Sequence, residues 1–134
     1  MTKLTQKAVF DALQAGQAKA AELGTPVSMV VLDEGGHLLG FLRCDGASFG
    51  TGDVAQRKAY TAAAMHLPTA ALSPLAQPGE VFYGLEVSGG APYVLFPGGV
   101  PVVVDGNVLG AVGVSGGPPD GDVAIAEAMC AALV

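Results

Sequence analysis

The spacing of apolar positions changes several times along the chain, and each change predicts an element. Leu4, Ala8, Ala12, Gly16, Ala20 and Leu23 recur at helical spacing, widened by Val9 and Leu13, while Lys7, Asp11, Gln14 and Glu22 take the wet side. That pattern predicts a helix over 5–23, capped by Thr5 and stopped by Gly24 and Pro26. Two strands follow at 27–33 and 37–43, joined by Glu34-Gly35-Gly36. Met29-Val30-Val31-Leu32 is apolar throughout, as in an interior strand. A second helix is expected over 54–66, capped by Asp53 and ended by Pro68, then a short helical turn over 69–76. Residues 77–92 read as loop, and Tyr93-Val94-Leu95-Phe96 as a third strand. Two β-branched runs around Asp105-Gly106 predict a hairpin of fourth and fifth strands. Asp122 is the expected cap of a last helix carrying Val123, Ala126, Met129, Cys130 and Leu133 on one side.

The expected architecture is α+β: a five-stranded antiparallel sheet flanked by helices, in the order α-β-β-α-(short α)-β-β-β-α. At 134 residues the chain reads as one domain over 1–134. Hydrophobic residues make up 51% and charged residues 13%, too few charges to keep a monomer well solvated, so a homo-oligomer is expected. The net charge of −6 argues against nucleic acid or an anionic membrane surface as partner. Every apolar run is interrupted before bilayer length, and Met1-Thr2-Lys3-Leu4-Thr5-Gln6-Lys7 lacks the apolar core of a signal peptide, so a cytoplasmic location is expected. Cys44 and Cys130 stand alone and read as packed thiols.

Few chemistries suit these residues. No cluster has metal-ligand spacing, and no hydrolase elbow, phosphate loop or dinucleotide fingerprint is present. His37 sits where a turn enters a strand, either hydrogen-bonding the turn or serving as a ligand. Arg43 and Asp45 share the exit of that strand and could pair. Lys58 falls on one helix face with Val54, Thr61, Ala62 and Met65. It either snorkels to water or is held at a pocket for a carboxylate, with the Thr61 hydroxyl one turn on. His66, at the helix end, gains from the negative end of the helix dipole. Gly98-Gly99, before Val100-Pro101, lets backbone or a ligand approach closely. Haem would need an axial side chain, an apolar slot and cations for its propionates; His37, His66, Arg43 and Lys58 are the available parts.

Several stretches in order resemble the GlcG/HbpS haem-binding family, which includes the C-terminal domain of PduO-type proteins. They are Asp33-Glu34-Gly35-Gly36-His37-Leu38-Leu39, Arg43-x-Asp45-Gly46, Lys58-Ala59-Tyr60-Thr61-Ala62, Gly98-Gly99-Val100-Pro101-Val102 with Asp105-Gly106, and the run from Gly110 to Gly117. The resemblance implies a five-stranded sheet in dimers that build rings or octamers. It also implies haem sensing or degradation in some members, and a place beside glycolate or diol metabolism in others. Where the family usually reads Gln-Asp-Glu before the last helix, this chain has Gly121-Asp122-Val123 and keeps only the aspartate. Two functions follow as expectations. One is a homo-oligomeric binding protein for haem or a related planar cofactor, in haem sensing or handling. Its slot is formed by Gly98, Gly99, Pro101 and the Lys58–Thr61 face, with Lys58 or Arg43 for carboxylates and His37 or His66 as the iron ligand. The other is an enzyme or accessory factor acting on a hydroxy acid or aldehyde-derived metabolite through Lys58, Thr61, Arg43 and Asp45.

Overall fold

Two hairpins lie side by side in a four-stranded antiparallel sheet with the order β2-β1-β4-β3. The computed structural model describes residues 3–134, so Met1 and Thr2, the start of the segment read for a leader, lie outside the described residues. In chain order the elements are α1 (Gln6–Leu23), β1 (Ser28–Asp33), β2 (Leu38–Arg43), α2 (Gly50–Met65), α3 (Thr69–Leu72), β3 (Gly99–Val104), β4 (Asn107–Ser115) and α4 (Pro119–Leu133). Short 3₁₀ turns cover Ser73–Ala76 and Leu85–Val87.

The inner strands β1 and β4 pair from Ser28↔Ser115 to Asp33↔Gly110. Alternation splits their side chains between two cores, because successive strand residues face opposite ways. Met29, Val31, Val112 and Val114 pack under α1 and α4 with Ile125, Met129 and Leu133. Val30 and Leu32 face α2, meeting Ala55 and Ala59. The α2 face is built from small residues, so that helix sits directly on the sheet backbone. A Cβ at Gly113 would overlap the Ala55 carbonyl.

The expected fifth strand is absent: 93–96 has no regular structure and joins no ladder, and the sheet has four strands. Pro92 and Pro97 bracket the stretch, and each lacks the N–H a ladder would need. The Val94 N–H instead donates to Thr61 Oγ1 on α2 at 2.9 Å, drawing the segment onto the helix. The Tyr93 ring meets Tyr60 with centroids 6.1 Å apart. β3 therefore forms one edge of the sheet, where Pro101 costs no inward hydrogen bond.

Two helix starts also move. α2 begins at Gly50, ahead of the expected cap Asp53, which lies in its first turn and pairs with Arg57 at 3.1 Å. α4 begins at Pro119, its proline filling the first position where no N–H is required, and Asp122 falls inside the first turn.

Candidate functional site

Lys58 is turned inward by its place on α2. Its carbonyl lies under Gly99, where a Cβ would overlap it, and its amine lies under Gly98. The glycine pair thus allows β3 to approach the helix until the lysine is 3% exposed. Its Nζ donates to the Val114 carbonyl at 2.8 Å and to Asp122 Oδ2 at 3.0 Å. Asp122 Oδ1 in turn accepts the Gly117 N–H at 2.9 Å. The carboxylate that Lys58 meets is thus supplied by α4 of the same chain. Burial pushes the lysine pKa below its ordinary value and the aspartate above its own, while mutual attraction opposes both shifts.

This ion pair forms the floor of a 390 Å³ cavity reached between the β4–α4 turn and the segment before β3. Ser115, Gly116 and Gly117 line one side, and Phe96, Pro97 and Pro119 form an apolar rim. The turn after β4, which reads in sequence as a simple link into the last helix, is part of the cavity wall.

Next to it, Thr61 and Thr69 tie the preceding segment down. Thr61 Oγ1 donates to the Arg57 carbonyl at 2.8 Å while accepting from Val94. Thr69 Oγ1 accepts the Gly99 N–H at 2.9 Å.

A second arrangement occupies the β1–β2 turn. Asp33 Oδ1 accepts the backbone N–H groups of Gly35 and His37, each at 2.9 Å, and lies 3.2 Å from His37 Nδ1. A carboxylate only accepts, so Nδ1 carries the hydrogen and Nε2 keeps its lone pair in the neutral ring. The His37 side chain is 82% exposed. Hydrogen bonding to the His37 backbone N–H, with a smaller part from the ring, holds the Asp33 carboxyl below its ordinary pKa. Gly36 packs on the Tyr60 ring, and Arg57, Gln56 and Pro92 complete a 270 Å³ cleft beside the turn.

The expected site residues therefore fall into separate places. Lys58, Thr61, Gly98 and Gly99 come together between α2 and β3, with Pro101 two residues further along that strand. His37 stands at the β1–β2 turn. His66 caps the far end of α2 in a left-handed conformation, its N–H bonded to the Ala62 carbonyl at 3.0 Å. Arg43 lies exposed at the end of β2 and makes no ion pair among the described residues. The sequence reading missed Asp122 as the partner of Lys58, Asp33 as the anchor of His37, and Arg57, Tyr60 and Ser115 as lining residues. Asp33 was legible: an aspartate two residues before paired glycines is the pattern of a side-chain-closed turn. Among the described residues, no group of three or more His, Cys, Asp or Glu side chains is placed to hold a bare metal ion.

The family model described as "Haem degrading protein HbpS-like" matches residues 4–131. An uncharacterised 15.0 kDa protein encoded in the dhaT-dhaS intergenic region of Citrobacter freundii is 40% identical over 124 residues, which are 92% of this chain and 87% of that protein. GlcG of Escherichia coli K12 is 37% identical over 113 residues, or 84% of this chain and 81% of GlcG. The crystal structure of a PduOC:heme complex superposes with a TM-score of 0.92 and 33% identity, covering 97% of this chain and 94% of that one.

Proposed function

This chain belongs to the HbpS-like family, and on that premise we propose that it is a homo-oligomeric haem-binding protein acting in haem sensing or handling. The observation that carries this reading is the Asp33–His37 pair. Histidines that ligate metals characteristically donate their second ring N–H to a carboxylate, which fixes the tautomer and raises the basicity of the free nitrogen. Asp33 Oδ1 meets His37 Nδ1 in that arrangement, which leaves Nε2 available at the surface. His66 has no such side-chain partner among the described residues, so His37 is the proposed iron ligand.

The surroundings fit a planar amphipathic group. Leu38 and Leu39 are exposed beside His37, Tyr60 supplies an aromatic edge, and the half-exposed Arg57 offers a cation for a propionate. Haem bound here would supply an iron centre for sensing or turnover. The chain's own part is to present one imidazole nitrogen in a fixed tautomer and to place a cation and apolar surface around it. A 270 Å³ cleft is smaller than pockets that enclose ligands of this size. Assembly with a second copy accords with the exposed apolar residues Phe10, Leu39 and Phe41, which line a separate depression between α1 and β2.

Titration of purified protein with hemin tests the reading. A saturable Soret shift at micromolar hemin is expected, strongly weakened in His37→Ala and unchanged in His66→Ala. No saturable shift, or equal binding by His37→Ala, overturns it. Size-exclusion chromatography with light scattering checks the oligomer, and a monomer at all concentrations removes that part.

A further inference from the structure

We propose that the cavity above Lys58 and Asp122 is a second ligand site, independent of the His37 turn, and that it takes a small uncharged hydroxy-carbonyl compound. Three observations select that chemistry. Ser115 is 8% exposed and lines the cavity, yet its hydroxyl has no protein partner among the described residues. The hydroxyl is not among the buried polar atoms, so it meets the solvent that fills the cavity and is free to pair with a ligand that displaces that water. Lys58 has three N–H donors, of which Val114 and Asp122 take two. The floor therefore presents a spare donor and a hydroxyl that can donate or accept.

Charge then excludes the alternatives. Lys58 and Asp122 cancel, and Asp120 and Asp122 occupy the first turn of α4, offsetting the positive end of that helix. A carboxylate ligand would be desolvated beside Asp122 with no unmatched cation to receive it. A cationic ligand would find the one buried carboxylate already satisfied by Lys58 and Gly117. A carbonyl oxygen accepting from Lys58, with a hydroxyl meeting Ser115, satisfies the open valences without adding charge. Phe96, Pro97 and Pro119 face the carbon skeleton at the rim. The 390 Å³ volume accommodates such a molecule together with ordered water.

Ligand-observed saturation-transfer NMR on the intact protein tests the proposal with three probes of similar size: hydroxyacetone, lactate and ethylene glycol. Hydroxyacetone should give signals at least fivefold stronger than either of the others. Ser115→Ala, which keeps the shape of the site, should reduce that signal at least fivefold, and Phe96→Ala, at an exposed rim position, should reduce it measurably. Lactate signals equal to or stronger than hydroxyacetone overturn the charge argument and the proposal with it. Equal signals from ethylene glycol overturn the carbonyl assignment, and a hydroxyacetone signal unaffected by both substitutions places binding elsewhere. Absence of any signal also overturns the proposal. None of these readouts depends on hemin, so their failure is distinguishable from failure of the haem reading.

Discussion

Lys58 Nζ lies 3.0 Å from Asp122 Oδ2, and both side chains are 4% exposed, so one ion pair joins α2 to α4 through the interior across the end of β4. Removing either partner leaves the other charge buried. Asp122→Asn and Lys58→Met are each expected to cost about 3–5 kcal/mol in urea unfolding, whereas the double variant Lys58→Met with Asp122→Leu should recover most of the loss. A double variant no more stable than the singles would show that the pair is not the source of the cost.

Asp33 gives a pH dependence with a definite sign. Its carboxyl is held below the ordinary 3.8, first by the His37 backbone N–H, so the folded state binds this proton less readily than the unfolded chain. Its contribution to stability is therefore complete above the ordinary carboxylate range and disappears as pH falls through the still lower folded value. Asp33→Asn should be less stable than the parent near neutral pH, and the difference should shrink on acidification. Chemical unfolding at pH 6 and at successively lower pH measures this; a constant difference would contradict it.

Gly113 has α2 resting on its backbone. Gly113→Ala must push the helix away from the sheet or distort β4, at an expected cost of about 1–3 kcal/mol. Gly50→Ala, where nothing lies within 4 Å of the added carbon, is the matched control and should be near neutral or slightly stabilising. Thermal melts of the two variants make the comparison.

Burial, reinforced by the charge of Glu127, raises the Cys130 thiol to about 12. The thiolate is the reactive species, so Cys130 should resist iodoacetamide at pH 8 in the folded protein and react fully in urea. Intact-mass and peptide analysis would detect native labelling at Cys130, which would contradict its placement.

The hairpins were legible in sequence because each has a local signature: paired glycines after Asp33 for one, Asp105-Gly106 for the other. Pairing of β1 with β4 leaves no such mark. The stretch at 93–96 has strand composition, but its Val94 N–H is claimed by a hydroxyl on a distant helix, which composition cannot reveal. The helix starts were misplaced because aspartates favour caps and first turns alike; Asp122 sits in the first turn and bends back to Gly117. At the site, the face carrying Lys58 was readable from helical spacing. Its burial was not, because the partner carboxylate lies 64 residues away. His37 stands out in sequence by its type and its turn, whereas the contact of its ring with Asp33, in the same motif, is visible only in the structure.

The strand order carries a consequence for how the chain is made. β1 is flanked by β2, which follows it directly, and by β4, whose Ser115 pairs back to Ser28. At roughly 5–20 residues per second of synthesis, β1 waits several seconds on the ribosome with one edge unfilled before β4 emerges. During that interval a nearly all-apolar strand has only its hairpin partner, α1 and α2 to shield it. Nascent chains stalled before residue 107 should therefore be the species that chaperones capture, and release should coincide with the emergence of the second hairpin.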